Sequence, residues 1–188
     1  MDFIKLAHQY WKGVLQKGDW AIDATCGNGH DTLVLIGLLK TRSSWGVLGL
    51  DIQEAALKNT QQLLREHLSS EELSCVHFFQ QSHETFPSLA QLHPIRLIVY
   101  NLGYLPRGDK RKTTLTSTTL NSVENALQLL MPGGMLSIMC YPGHEEGAKE
   151  QSALIERLTI LPSPLWQVHH HTLLNRPTAP SLLLVKKI

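Results

Sequence analysis

Short apolar runs alternate with longer segments of helical pattern along most of the chain. The runs predict five strands, at residues 20–26, 45–52, 75–79, 95–101 and 135–141. The segments between and after them predict five helices, at residues 31–40, 53–68, 83–92, 119–130 and 145–161. This alternation is typical of βαβ units around a mostly parallel sheet.

The two ends of the chain extend this pattern. The first residues predict an amphipathic helix, and the last predict two strands, 166–175 and 182–188, joined by a short connection that contains NRPTAPS. No repeat, low-complexity segment or linker interrupts the pattern. We therefore predict one α/β domain over residues 1–188, with a seven-stranded, mostly parallel sheet that ends in a C-terminal antiparallel hairpin.

Composition narrows the class of protein. A chain of 188 residues with 43% hydrophobic and 18% charged residues is expected to form one globular domain. No apolar run approaches the ~18 residues that cross a membrane, and the N-terminus lacks the features of a signal peptide. We therefore expect a cytoplasmic protein without a membrane partner. A formal net charge of +1 argues against a generally basic surface, but it leaves room for a local basic patch.

The cysteines do not suggest a disulfide framework or a zinc site. Cys26, Cys75 and Cys140 lie far apart and form no CxxC pair. We expect buried structural thiols, two in predicted strands and one in a turn. A metal site at His169, His170 and His171 is not expected either, because consecutive residues of a strand point to alternate sides.

The first predicted strand ends in a turn of small residues, DATCGNGHDT, at residues 23–32. Gly27 and Gly29 let backbone N–H groups and the following helix N-terminus approach a ligand closely. A dinucleotide-binding oxidoreductase normally has GxGxxG here, but Thr32 occupies the third position. Asp23 opens the turn, and its charge suits the amino group of a methionine moiety. The turn therefore favours S-adenosylmethionine over a dinucleotide.

A second acid supports a nucleoside ligand. Asp51 ends the second predicted strand, 22 residues beyond Gly29, where a carboxylate can accept hydrogen bonds from both ribose hydroxyls. Gln53 is expected beside the same nucleoside. The alternative is that Asp23 and Asp51 cap the helices that follow them.

The segment NLGYLP, residues 101–106, is the predicted place of the chemistry. It follows the fourth strand at the switch point where open sheets bind ligands, and it resembles a widened form of the Asn-Pro-Pro-Tyr motif of amino-group methyltransferases. By that resemblance, Asn101 orients the target nitrogen and Tyr104 stacks on the base. The alternative makes Asn101 and Gly103 turn residues and Tyr104 a core aromatic residue.

The connection after this motif, residues 107–119, is long and basic. It contains the four positive charges of Arg107, Lys110, Arg111 and Lys112, which either hold RNA phosphates or form a solvated surface. If the target is an alkylamine, it carries a proton in water and must lose that proton before its nitrogen can attack the methyl group. The candidate bases are Asp109 and His144.

Five segments together carry a family resemblance: DATCGNGHDT, GLDIQ, NLGYLPRGDK, YPGHEEG and LNRPTAPSLLLVKK. They resemble the bacterial putative rRNA methylase family of Rossmann-like class I S-adenosylmethionine-dependent methyltransferases. Some members methylate the aminomethyl group of wobble 5-aminomethyl-2-thiouridine in tRNA. The resemblance places Asp23, Asn28 and Gly29 at the methionine part, Asp51 and Gln53 at the ribose, and Ser82 and His83 at the adenine. The remaining expected cofactor contacts are Gly27, Asp31, Thr32 and Asn101.

Together these features predict a methyltransferase that uses S-adenosylmethionine and acts on an amine of RNA. The expected partner is the anticodon region of tRNA, and a second copy of the chain is a possible further partner because no target-recognition domain is predicted. The alternatives are an rRNA or small-molecule N-methyltransferase, a nucleotide-binding oxidoreductase and a non-catalytic binding module. The absent third glycine argues against the oxidoreductase, and a binding module has no need of an intact NLGYLP.

Overall fold

A computed structural model of the protein describes residues 2–40, 44–103 and 115–188. Seven strands form one sheet: β1 (Trp20–Asp23), β2 (Gly46–Asp51), β3 (Val76–Gln80), β4 (Ile95–Asn101), β5 (Met135–Cys140), β6 (Trp166–His171) and β7 (Ser181–Lys187). Their order is β3-β2-β1-β4-β5-β7-β6. The first five strands are parallel, and β7 is antiparallel to both β5 and β6. The predicted α/β sheet with its C-terminal hairpin is confirmed.

In the described part of the chain, six α-helices accompany the strands: α1 (Phe3–Val14), α2 (His30–Leu39), α3 (Glu54–His67), α4 (Ser70–Leu73), α5 (Thr116–Leu129) and α6 (Glu145–Thr159). The helix predicted at residues 83–92 is wrong, because only a 3-10 helix forms there, at Ser88–Leu92. Pro87 precedes it, and a proline cannot donate the backbone hydrogen bond of a helix interior. The short α4 was not predicted, although Ser69 and Glu72 form a capping box at its start.

Helices cover both faces of the sheet. Neighbouring strand residues point to opposite sides, so Ile22 packs in the core with α5 and α6, while Ala21 packs in the core with α1 and α2. Burial on both faces explains why the parallel strands are nearly continuous apolar runs. No helix in the described ranges is long and apolar enough to cross a membrane.

The histidines of β6 lie on an edge strand and diverge, as the alternation of a strand requires. His170 approaches Gln151 of α6, while the His171 ring lies 5.6 Å from the Tyr10 ring of α1. Of the cysteines, Cys26 and Cys140 are buried as expected. Cys75 is only half-buried, since it directly precedes β3, an edge strand whose own residues are half-buried or exposed.

The strand order reverses between β1 and β4. The chain moves outward from β1 through β2 to β3 and then returns to β4 on the other side of β1. A crevice forms at the carboxyl edge where such a sheet reverses, because the connections leave in opposite directions. The fold therefore brings the ends of β1, β2 and β4 around one space.

Gly49 of β2 lies close to Cys26 in the turn after β1 and to Phe78 of β3. A Cβ atom there would lie 2.7 Å from the Cys26 Sγ and 2.8 Å from the Phe78 ring. We predict that Gly49→Ala lowers the free energy of unfolding by about 1–3 kcal/mol through overpacking, measured by urea denaturation. The control is Gly37→Ala, at an exposed helical position with open space around it, which should stabilise the protein by roughly 0.5–1 kcal/mol. Equal effects of the two substitutions would contradict the close packing at Gly49.

Candidate active site

A cavity of about 980 Å³ opens at the carboxyl edge of the sheet. Its wall includes the turn after β1, the ends of β2 and β4, the segments after β3 and β5, and the approach to β7. This size suits a ligand as large as a nucleoside with an amino-acid tail. The structure thus places the cavity at the switch point of the sheet.

The turn after β1 is built on glycine. Gly29 caps α2 with φ of 83°, and a Cβ atom there would lie 2.9 Å from the Thr60 backbone. Both the backbone angle and the close approach of α3 therefore require glycine. The Gly27 N–H donates to the Asp51 Oδ2 at 3.0 Å, and the Gly27 carbonyl accepts from the Thr60 hydroxyl at 3.2 Å. Backbone thus forms the wall where a ligand has to approach closely.

Asp51 lies in the cavity wall and joins the tips of β1 and β2. Its Oδ1 accepts from the Gln53 N–H at 2.8 Å, and its Oδ2 accepts from Gly27. Burial raises the pKa of Asp51, and these backbone N–H groups offset part of the rise. Because α3 begins at Glu54, with Gln53 as its N-cap, the Asp51 carboxylate does not cap the helix in the usual way. Each oxygen keeps acceptor capacity for a hydroxyl group.

Asp23 lies beneath the turn and not at the cavity wall. Its side chain is buried, accepting a 2.5 Å hydrogen bond from the Thr32 hydroxyl and a 3.2 Å bond from the Thr25 N–H. Burial, followed by the nearby Asp31 charge, raises the pKa of Asp23 to about 7. Gly29 and Thr32 are also outside the cavity lining. The expected direct contacts of these three residues with a ligand therefore need correction: they shape the turn from behind.

Asp31 occupies the position at the wall that was expected for Asp23. Its Oδ1 lies 2.8 Å from the Nε2 of His8, and its Oδ2 accepts from the Asn101 Nδ2 at 3.2 Å. The backbone N–H of Asn101 donates to the Thr25 hydroxyl at 2.8 Å. These bonds connect α1, the turn after β1 and the end of β4. His8 was not predicted as a site residue. Its spacing of four from Ile4, which lines the cavity, places both residues on one face of α1.

Ser82 and His83 line the far side of the cavity after β3, as predicted. Burial lowers the pKa of His83 to about 4, so its ring is neutral at neutral pH. The ring meets Tyr100 edge-on, with 5.8 Å between centroids. A neutral, partly buried imidazole suits an uncharged aromatic ligand such as a purine.

The opposite wall comes from the segment after β5. His144 lines the cavity, and its Nδ1 accepts from the Gly147 N–H at 3.1 Å, which caps α6. Tyr141 also lines the cavity. Burial, followed by the charge of Asp31, raises the pKa of Tyr141, and a hydrogen bond with Asn101 offsets part of the rise. Tyr141, Thr178 and Pro180 were not predicted as site residues, because only the paired strands β5 and β7 bring them to this edge.

The structure brings most of the predicted site residues within the described ranges to this cavity. The predicted residues in its wall are Gly27, Asn28, Asp31, Asp51, Gln53, Ser82, His83, Asn101 and His144. Six others fall outside the described residues: Tyr104, Arg107, Asp109, Lys110, Arg111 and Lys112.

The cavity fits S-adenosylmethionine by its own chemistry. The glycine turn brings Gly27 and Asn28 to the wall, Asp51 offers carboxylate oxygens at the β2 tip, and His83 is neutral at the far side. Carboxylates near the Asn101 end suit positively charged groups. The site can thus accept a nucleoside at one end and a cation at the other.

Comparisons with known proteins agree with this geometry. The family model described as "Putative rRNA methylase" matches residues 47–187. The "tRNA (mnm(5)s(2)U34)-methyltransferase, chloroplastic" of Arabidopsis thaliana is 38% identical over 190 residues, which cover 97% of this chain and 68% of that protein.

Solved structures extend the likeness to the whole chain. An rRNA methylase from Clostridium thermocellum has a TM-score of 0.89 at 29% identity, with 100% of this chain and 98% of that chain covered. A methyltransferase from Streptococcus mutans, solved in complex with SAH, has a TM-score of 0.85 at 33% identity, with 100% and 99% covered. The SAH in that complex is the product that remains when S-adenosylmethionine gives up its methyl group. The chain therefore belongs to the family described as rRNA methylases and is an S-adenosylmethionine-dependent methyltransferase.

Proposed function

We propose that this protein methylates the aminomethyl group of wobble 5-aminomethyl-2-thiouridine in tRNA. The observation that carries the proposal is the position of Asn101, which shares one cavity with the glycine turn and Asp51. The Arabidopsis thaliana relative, 38% identical, is named as a tRNA (mnm(5)s(2)U34)-methyltransferase, which supports this substrate. We propose one methyltransferase domain over residues 1–188, in the cytoplasm.

The cofactor assignments follow the cavity wall. We place the ribose at Asp51 and Gln53, the adenine at Ser82 and His83, and the methionine part against Gly27 and Asn28. When bound, S-adenosylmethionine supplies a sulfonium methyl group for transfer. The protein supplies the alignment of the amine with that methyl group and the exclusion of water.

Asn101 is the residue we assign to the target amine. Its Nδ2 donates to Asp31, and its side chain also bonds Tyr141. We propose that the Asn101 Oδ1 accepts an N–H of the amine. The Thr25 hydroxyl holds the backbone of the same residue. An amine held through one N–H can direct its lone pair at the methyl group. For Tyr104 we keep the proposal of stacking on the base.

The RNA contacts of residues outside the described ranges are proposed from the sequence. We propose that Arg107, Lys110, Arg111 and Lys112 bind phosphates of the tRNA anticodon region, and that a second copy of the chain extends the RNA surface. The family description also names rRNA, so rRNA is the second candidate substrate.

The substrate experiment compares these two RNAs. Purified protein and labelled cofactor are incubated with tRNA that bears 5-aminomethyl-2-thiouridine, with tRNA that lacks the aminomethyl group, and with unmodified rRNA. Nucleoside mass spectrometry should find a methylated amine only in the first sample. Methylation of the rRNA alone would refute the proposed substrate.

Asp51→Ala should weaken binding of S-adenosylmethionine by on the order of 1.5–3 kcal/mol, because charged hydrogen bonds to the ribose are lost. Calorimetry measures the affinity. Glu54→Ala is the control, since Glu54 is an exposed carboxylate nearby that pairs with Lys58. Unchanged affinity in folded Asp51→Ala would remove Asp51 from the ribose site.

Asn101→Ala should keep cofactor binding but lower the rate of methyl transfer by about 10²-fold or more, because the reacting amine loses its alignment. The measurement is rapid-quench methyl transfer to the aminomethylated tRNA at saturating cofactor. The control is Asn121→Ala, at an exposed residue of α5 that bonds Glu84. A near-parental rate for Asn101→Ala would defeat the assignment.

Neutralising Lys110, Arg111 and Lys112 together should weaken tRNA binding and flatten its dependence on salt, since fewer counterions are released. Affinity for the cofactor should stay unchanged. Binding titrations across a range of salt concentrations check both statements. If tRNA affinity depends on salt concentration identically in variant and parent, the three residues form a solvated surface and do not bind phosphates.

A further inference from the structure

We propose that Asp31 accepts the proton of the target ammonium group, and that His8 is the positioning residue that holds its carboxylate for this step. The inference rests on the proposed function, because it concerns an amine substrate. It assigns Asp31 to the reaction in addition to the cofactor, and it gives α1 a part in the site.

The chemistry requires one proton to leave before transfer. An alkylammonium nitrogen has no lone pair, so a base must take one N–H proton and leave the neutral amine. The amine lone pair then forms the new N–C bond to the methyl group, the C–S bond breaks, and its electron pair stays on sulfur. The product is a secondary ammonium group that keeps the remaining protons. One proton therefore passes to the base and from there to water.

Asp31 is the carboxylate placed for this proton. It lines the cavity, and its Oδ2 accepts from the Asn101 side chain, the group that we assign to the amine. A nitrogen bonded to the Asn101 Oδ1 therefore lies beside this carboxylate. Each Asp31 oxygen also keeps a lone pair beyond its present bond. The side chain is 18% exposed, so solvent can take the proton away afterwards.

His8 orients this carboxylate from α1. Its Nε2 lies 2.8 Å from Oδ1, while Asn101 holds Oδ2. The His8 ring is fixed in turn by the Trp11 ring, with 4.7 Å between centroids, and its side chain is only 27% exposed. Two bonds at opposite oxygens fix the plane of the carboxylate. An oriented base removes a proton more effectively than a freely rotating one.

The other ionisable groups around the cavity are less well placed. Asp23 lies beneath the turn and away from the wall. The His144 Nδ1 already accepts a hydrogen bond from the Gly147 N–H at the start of α6. Tyr141 faces Asp31 from the end of β5, Asp23 faces it from β1, and Asp2 adds a charge near Tyr141 from the start of α1. Of these groups, the carboxylates favour the approach of an ammonium ion when they are ionised.

The test is the single-turnover rate of methyl transfer to aminomethylated tRNA at saturating cofactor, from about pH 6 to about pH 9. Asp31→Asn should lower the rate by about 10²-fold near neutral pH. The loss should shrink as pH rises, because the free amine then needs no base. His8→Ala should show a smaller loss with the same pH trend, and His8→Gln should restore most of the rate, because its amide can donate to Oδ1.

The control is His67→Ala, at an exposed histidine near the end of α3 that bonds its own helix, and its profile should match the parent. Calorimetric binding of S-adenosylmethionine reports whether each variant is folded. A constant, pH-independent loss in Asp31→Asn, or a loss of cofactor affinity with a parental rate at saturation, would overturn the assignment. An absence of methylation by the parent protein would refute the proposed function itself, and the assignment with it.

Discussion

The turn after β1 is held in place by bonds from two strands and a helix, and the site depends on this constraint. The Ala24 N–H donates to the Val99 carbonyl of β4 at 2.9 Å, and the Cys26 N–H donates to the Leu50 carbonyl of β2 at 2.9 Å. Asp51 and Thr60 bind Gly27 on its two backbone groups. The turn therefore continues the sheet and cannot move without disturbing both neighbouring strands. A rigid backbone wall of this kind binds a ligand at low entropic cost.

Acidic groups dominate one end of the cavity, and their burial has an energetic cost. Asp23 and Asp51 end β1 and β2, and Asp31 lies in the first turn of α2. Burial raises the pKa of both Asp23 and Asp51. An ionised carboxylate beneath the turn is unfavourable without a counter-charge. The proposed function uses two cations, a sulfonium and an ammonium group, that compensate this negative charge. The same acids that destabilise the empty site thus favour its ligands.

The comparisons and the geometry address different levels of the function. Family membership and the likeness to the SAH complex establish the cofactor and the class of reaction. The substrate depends on the Asn101 end of the cavity, where an amide acceptor, a carboxylate and a phenol meet. In the proposed function, these groups recognise an amine by its N–H donors and its charge. They would offer less to a carbon or oxygen nucleophile, which lacks one or both of these features.

The sequence by itself determined the parallel sheet, the glycine turn, and the roles expected of Asp51 and Asn101. These features are local: strand periodicity, a residue that tolerates positive φ, and an acid at a strand end follow from neighbours in the chain. The helix expected at residues 83–92 does not form, and the reason is equally local: Pro87 lies in the middle of this segment and cannot donate a helical hydrogen bond. Tertiary structure alone decided that Asp23 lies beneath the turn, that His8 bonds Asp31, and that Tyr141 bonds Asn101. Those placements depend on how α1 and β5 pack against the sheet, and contacts between residues far apart in the chain leave no periodic signal in the sequence.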